Sequence, residues 1–241
     1  MKLEKIRSWL DKTLNVSSFD DVSNNGIQID RTGGEVTTVA FAVDASVRAV
    51  KAAAEAGAQL LVVHHGISWG GGIRRISGGV GNVVRAAMDA NLALYACHLP
   101  LDAHPVLGNN AQLAKLLGLT NVKPAFTYHG NVIGLVGELF RRRSTAIGSH
   151  RYEFGPGRIG LCSGGAGEFA EEAKNLGCDL YLTGEASWGE VIAAENCGMK
   201  MICAGHYETE VFGVRAVSEK MRKALKLKTL DLTEKLRGST L

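Results

Sequence analysis

The chain has 241 residues, 27 Lys and Arg against 24 Asp and Glu, a formal charge of +3, 46% hydrophobic and 21% charged residues. That is long enough for one large domain or two small lobes with an ample core, at an ordinary soluble composition. The mild charge and the lack of a stripe of alternating basic and aromatic residues argue against nucleic acid. The lack of any run near the ~20 apolar residues that span a bilayer argues against membrane.

The first residues, Met1-Lys-Leu-Glu-Lys-Ile-Arg7, lack the apolar core of a signal peptide, so a cytoplasmic protein is expected. Leu3, Ile6, Leu10 and Leu14 are spaced as one face of a helix over 3–14. Residues 17–25 are polar and turn-rich and lead into Gly26-Ile-Gln-Ile29. A buried strand is expected over 36–43, ending at Asp44, and a helix over 46–56 with Gly57 as its stop. Leu60-Leu-Val-Val63 reads as a second buried strand that runs into His64-His65. A glycine-rich loop with Arg74 and Arg75 fills 66–81, without the spacing of a phosphate-binding loop or dinucleotide fingerprint.

A helix over 82–90, a strand over 92–97 ending at His98, and a helix over 109–117 closing at Gly118 complete a strand–helix–strand series. Such alternation predicts parallel pairing with helical crossovers. Near 120–123 the chain is expected to change lobes, giving an N-terminal α/β lobe over 1–122 and a C-terminal one over 123–241. A strand is expected over 131–140, then the basic cluster Arg141-Arg-Arg143 and polar turns to Gly157. Arg158-Ile-Gly-Leu-Cys162 opens a second strand–helix–strand series. It ends in the strand 199–204, Gly205, and a helix over 211–223 with its start near Thr209. The basic tail from Lys220 reads as helical, fraying at Gly238-Ser239.

The two series resemble each other. Ala56-Gly57-Ala-Gln-Leu-Leu-Val-Val63 parallels Leu176-Gly177-Cys-Asp-Leu-Tyr-Leu-Thr183, and Ser68-Trp69-Gly70 parallels Ser187-Trp188-Gly189. One and the same interval separates His98 from His206 and Asp102 from Glu210, so His-x-x-x-acid occurs once in each half. The expected fold class is therefore α/β, two similar strand–helix–strand lobes made by internal duplication. If strand carboxyl ends of both lobes face one crevice, they gather His64, His65, His98, Asp102, Glu185, His206 and Glu210. Imidazoles with carboxylates suit zinc, manganese, iron or cobalt, and their number suits two ions. The cysteines Cys97, Cys162, Cys178, Cys197 and Cys203 show no ligand spacing, and Cys97, Cys162 and Cys203 lie in apolar runs, so they read as small buried hydrophobes. His104, His129 and His150 read as ordinary polar residues. Asp44 reads first as the cap of the next helix and second as an orienter of the site.

Four segments carry a family resemblance: Gly57-Ala-Gln-Leu-Leu-Val-Val-His-His65, His98-Leu-Pro-Leu-Asp102, Thr183-Gly-Glu185 and Gly205-His-Tyr-Glu-Thr-Glu210. Over nearly its whole length the chain resembles the NIF-three-like dinuclear-metal family, the GTP cyclohydrolase I type 2 homologs. The resemblance implies His64, His65, Asp102, His206 and Glu210 as ligands of two divalent ions between the lobes, with His98 and Glu185 lining the same cavity as proton carriers. It implies a homo-oligomer, a toroidal hexamer, and a metal-dependent hydrolase acting on a nucleotide, opening the purine imidazole ring with release of formate. A non-catalytic metal-binding oligomer, serving as chaperone, store or regulatory partner, is the alternative. One segment departs from the family: its Asp-Asn-x-Gly-Leu-Gln reads here Ser23-Asn-Asn-Gly-Ile-Gln28, without the acid.

Overall fold

The apolar spacing at the N-terminus produces α1 (Leu3–Leu14), which buries Ile6, Leu10 and Leu14 and stops at Asn15, held in the left-handed region at φ 53°. There follow β1 (Gly26–Ile29), β2 (Thr38–Asp44), α2 (Val47–Glu55), β3 (Leu60–His65), α3 (Gly78–Asp89) and β4 (Ala93–Ala96). Two helices, α4 (Leu99–Ala103) and α5 (Asn109–Leu117), lead to β5 (Thr120–Tyr128), β6 (Asn131–Leu139), β7 (Arg143–Ile147), β8 (His150–Phe154) and β9 (Gly157–Gly165). The chain continues through α6 (Ala170–Asn175), β10 (Leu180–Glu185), α7 (Trp188–Asn196), β11 (Met201–Cys203), α8 (His206–Leu225), β12 (Lys228–Asp231) and α9 (Thr233–Leu236). The computed structural model describes residues 1–237, so the expected fray at Gly238-Ser239 lies outside the described residues.

The first compact unit is Met1–Leu101 together with the segment from Val214 onward. Its sheet has the order β1-β4-β3-β2-β12, parallel throughout except for β1, which is antiparallel to β4. The first six residues of β2 are buried, as expected of a parallel strand covered on both faces. Ala40, Ala42, Leu61, Val63, Leu94 and Ala96 form one core with Ala49 and Ala53 of α2, Val83 and Ala87 of α3, and Leu236 of α9. Behind it, the hydroxyl of buried Tyr95 donates to Asp11 of α1 at 2.9 Å.

The second unit is Asp102–Gly213. Its sheet runs β11-β10-β9-β6-β5, with β9, β10 and β11 parallel and β6 and β5 antiparallel, and β7 and β8 form a separate hairpin. Leu161, Leu180 and Leu182 pack with Leu113 and Leu117 of α5 and with Phe154 of the hairpin. Each sheet is thus mixed, and each contains a parallel strand–helix–strand–helix–strand series, β2 to β4 in one and β9 to β11 in the other. In both, the helix after the first strand is followed by a left-handed glycine, Gly57 at φ 74° and Gly177 at φ 73°.

The structure departs from the sequence reading at several places. The division falls at 101/102 and 213/214, inside α4 and α8, rather than near 122, so Asp102 belongs with the second unit. The C-terminal segment belongs with the first unit because β12 pairs with β2, from Lys228 opposite Thr38 to Asp231 opposite Phe41. The strand itself, Lys228-Thr-Leu-Asp231, is short and mostly polar, so it carries no apolar run to set it apart from the basic helix before it. Strand β5 carries Pro124 and is mostly exposed, which an edge strand tolerates and which leaves no buried-strand signature. The stretch read as polar turns is the hairpin β7–β8, closed at Gly148 (φ 64°) and Ser149, with Thr145, Ile147 and Phe154 on its buried side. Helix α3 begins at Gly78, ahead of the expected 82, and α8 begins at His206, ahead of Thr209.

The two Ser-Trp-Gly copies play different parts. Ser187 caps α7: its hydroxyl accepts from the Glu190 amide while the Glu190 carboxylate accepts from the Ser187 amide. Ser68-Trp69 instead lies in the loop after β3, and Ser77 precedes α3. Ser187→Ala is expected to cost about 1 kcal/mol in urea unfolding, the usual size of a lost N-cap.

Candidate metal centre

In the first unit, β3 ends in His64-His65 and β4 is followed by His98, so parallel neighbours bring three imidazoles to one end of the sheet. Their ring centroids lie 4.6 Å (His64–His65), 5.1 Å (His64–His98) and 5.7 Å (His65–His98) apart. Each ring is held through Nδ1 by an acceptor. His64 meets the Cys97 carbonyl at 3.0 Å, His65 the Asp44 carboxylate at 2.8 Å, and His98 the Asp21 carboxylate at 2.9 Å. A carbonyl or an ionised carboxylate only accepts, so in all three rings Nδ1 carries a proton, and in the neutral ring Nε2 carries the lone pair. This is the arrangement in which imidazoles are presented to metals. Asp44 therefore orients His65, and the cap of α2 is Ser46, whose hydroxyl accepts from the Ala49 amide.

Behind His98 stands a support that the sequence reading missed. The Asp21 side chain is 2% exposed. Besides His98 it accepts from the Ser23 amide, the Asn25 side-chain amide and the Leu99 amide at 2.8–3.0 Å. Burial works to raise its pKa, but the hydrogen bond and charge of His98, with the Ser23 and Asn25 donors, hold it below the ordinary carboxylate value. Asn25 accepts from the His98 amide at 2.8 Å, and Gln28 accepts from the Ile67 and Ser68 amides at 2.7 and 3.2 Å. The segment that departs from the family motif thus braces both His98 and the loop after His65, with its acid two residues earlier, at Asp21. Gly66 lies against this brace: a Cβ there would fall 2.5 Å from Gln28 Nε2 and 2.6 Å from Ala96 Cβ. The Trp69 indole donates to the Gly66 carbonyl at 3.1 Å and meets His98 edge-on, centroids 5.1 Å apart.

In the second unit, His206 opens α8 directly after Gly205, whose φ of 99° makes the turn from β11. His206 and Glu210 share one helix face, with His206 Nε2 3.2 Å from Glu210 Oε1, while His206 Nδ1 donates to Glu185 at 2.9 Å. Glu185 is the last residue of β10 and orients His206 as Asp44 orients His65. Glycines make the space: a Cβ at Gly164 would collide with Glu210 Oε1, and one at Gly165 would touch Glu185. Asp102 is buried, and its Oδ1 accepts from Asn109 at 2.8 Å and Ser163 at 2.9 Å. Asn109 also accepts from the Gly213 amide at 2.7 Å, and Asn110 accepts from the Ser163 amide at 2.8 Å. The pair Asn109-Asn110, read from sequence only as a helix start, is buried: Asn109 holds the Asp102 carboxylate directly, and Asn110 holds Ser163, whose hydroxyl reaches the same oxygen.

The donor chemistry fits divalent cations. Asp102 and Glu210 are 6% and 3% exposed, and burying ionised carboxylates is costly unless charge partners or a metal offset it. The four histidines His64, His65, His98 and His206 are all anchored at Nδ1. Imidazole with carboxylate selects borderline ions, and no thiolate is arranged beside them. Burial, reinforced by the Asp102 and Glu210 charges, pushes the Cys162 thiol well up, so it stays protonated. Cys97, Cys162 and Cys178 are buried, whereas Cys203 is exposed because it ends the edge strand β11. Arg74, Arg75 and Arg141–143 are exposed. His104 accepts the Val106 and Leu107 amides in a local turn, and His129 and His150 are exposed. No helix among the described residues is long and apolar enough to cross a membrane.

Asp44→Asn keeps the shape of the His65 anchor and weakens its charge. It is expected to lower zinc affinity about 10–100-fold, by competition titration, with little change in stability.

Residues 1–235 match the family model described as Duf34/NIF3 (NGG1p interacting factor 3). The chain belongs to this family. It is 40% identical over 245 residues to a Pyrococcus horikoshii protein named GTP cyclohydrolase 1 type 2 homolog, covering 95% of this chain and 97% of that one. A Deinococcus radiodurans protein of the same name is also 40% identical, over 90% of this chain and 88% of its own. Among solved structures, protein ybgI, described as of unknown function, superposes with a TM-score of 0.83 at 30% identity, covering 97% of this chain and 98% of that one. The α/β fold with two mixed sheets is that of these NIF3-like structures.

Proposed function

We propose that this NIF3-family chain binds two divalent ions through His64, His65, Asp102, His206 and Glu210. We further propose that it acts as a metal-dependent hydrolase of the GTP cyclohydrolase type, opening a purine imidazole ring with release of formate. One observation carries the metal reading: every histidine of the set is tied at Nδ1 to a carbonyl or carboxylate, so Nε2 is the nitrogen offered for coordination. The names of the Pyrococcus and Deinococcus relatives support the choice of reaction. When bound, divalent ions supply Lewis acidity and a lowered pKa for water. The protein's own part is to hold its ligands rigid and to move protons. His98, anchored by Asp21, takes or gives a proton at Nε2, and Glu185 keeps His206 in place. The matched strand–helix series of the two units, with their left-handed helix-stop glycines, supports an internal duplication that placed His-x-x-x-acid once in each half.

The same reading carries self-association, expected as a hexameric ring. Trp188, 76% exposed at the start of α7, with Ile192 one turn on, offers an apolar surface for it. Light scattering checks it, and a monomer at micromolar concentration overturns it.

Metal analysis after loading with manganese, iron, zinc or cobalt, followed by incubation with GTP, tests the whole. Two ions per chain and formate release are expected, both lost in His65→Ala. Failure to bind any of the four overturns the metal reading. Two bound ions without turnover of GTP overturn the reaction and leave a metal store or carrier.

A further inference from the structure

The five-ligand set leaves His98 unused as a ligand, yet His98 stands in the same cluster as His64 and His65. One ring nitrogen from each of these three residues lies within 4.8 Å of the others. Three nitrogens bound to one zinc at about 2.0–2.1 Å lie about 3.3–3.6 Å apart, so closing the triad around one ion needs each nitrogen to move inward by up to about an ångström. With the three Nδ1 atoms engaged, Nε2 is the nitrogen that carries the lone pair in each neutral ring. Two anchors, Asp44 and Asp21, are carboxylates, which raise ligand basicity and place two negative charges behind the rings. Trp69 walls the cluster, 5.1 Å from His98 and 6.0 Å from His65 by centroids. All of these residues belong to the first unit.

We propose that His64, His65 and His98 form a three-imidazole position that takes one divalent ion with no protein ligand from the second unit, a capture site from which the five-ligand set is filled. The proposal rests on the metal-binding reading but not on any reaction. Three neutral nitrogens favour zinc, cobalt or nickel and discriminate against manganese and magnesium, which prefer oxygen. A capture site of this kind therefore screens the ion before carboxylates engage it.

The test removes two of the three remaining ligands at a time, Glu210 with either His206 or Asp102, and keeps the triad. In His206→Ala/Glu210→Gln, cobalt is the probe, read by visible absorption and by metal analysis after gel filtration. One cobalt per chain is expected, with no manganese retained. Adding His98→Asn should weaken cobalt binding by more than the roughly 10–100-fold that loss of a supporting hydrogen bond costs. Asp102→Asn/Glu210→Gln, closer in shape to the native residues, repeats the test should the first variant fail to fold by circular dichroism. Wild-type protein that binds two cobalt ions, beside folded ligand-removed variants that bind none, overturns the capture site and leaves the five-ligand reading standing. Binding in those variants that His98→Asn leaves unchanged overturns it as well. Wild-type protein that binds no cobalt, zinc, manganese or iron overturns both readings.

Discussion

Gly184→Ala is expected to destabilise the protein by about 3 kcal/mol, at the upper end of what one inserted methyl costs. Gly184 sits in β10 one residue before Glu185, where a Cβ would lie 2.6 Å from the Gly164 carbonyl oxygen, 2.6 Å from Thr209 Oγ1 and 2.9 Å from His206 Cα. Two of these atoms are backbone and cannot swing aside. Relief must come from moving β9 or the first turn of α8, and that turn carries His206 and Glu210. The Gly205 amide donates to the Gly184 carbonyl at 2.8 Å, and the Gly164 amide donates to Thr209 at 3.0 Å, so displacement also strains the bonds that seat the helix. Urea unfolding and zinc titration should therefore fall together. Gly189→Ala is the control. Gly189 lies inside α7 with ordinary φ and nothing closer than Ser187 Oγ at 4.0 Å, so alanine there should be neutral or stabilise by up to about 1 kcal/mol. Equal stability of the two alanine variants would show that the Gly184 contact is not tight.

Asp21→Ala is expected to cost about 3 kcal/mol, because it strands the Ser23, Asn25, His98 and Leu99 donors around a nearly buried carboxylate. The folded-state pKa of Asp21 lies below its ordinary 3.8. Its ionisation thus contributes stability that is fully present above 3.8 and is lost as the pH falls through the lower, folded value. The gap between wild type and Asp21→Ala should be widest at neutral pH and narrow under acid. A gap that is constant from pH 7 to pH 3 would assign the loss to packing alone. Asp21→Asn, which can still accept at one oxygen, should recover part of the stability.

Much of the fold was legible because the parallel series write themselves as apolar runs broken by glycines. The helices over 3–14 and 109–117 and the strands ending at Asp44 and His65 lie where periodicity and stop signals put them. Elements without a buried run were hidden. The edge strand β5, the short hairpin β7–β8 and the late strand β12 depend on neighbours for their pairing, and their own residues are largely polar or exposed. That dependence also moved the division of the units, since β12 pairs with β2 from the far end of the chain.

The site divides along the same line. The sequence by itself determined which side chains have the chemistry: histidines and carboxylates at strand ends, repeated at one interval in two halves, with no cysteine spacing to compete. Only tertiary structure decided what each one does, because a hydrogen-bond partner is set by packing and not by chain distance. Asp21 lies 77 residues from the His98 ring it holds, and Glu185 lies 21 residues from His206. Asp44 became an anchor rather than a cap because β2 and β3 run side by side, with Asp44 opposite His65. Single residues therefore look alike in the sequence, and they part into candidate ligands and the groups that aim them once the strands are laid together.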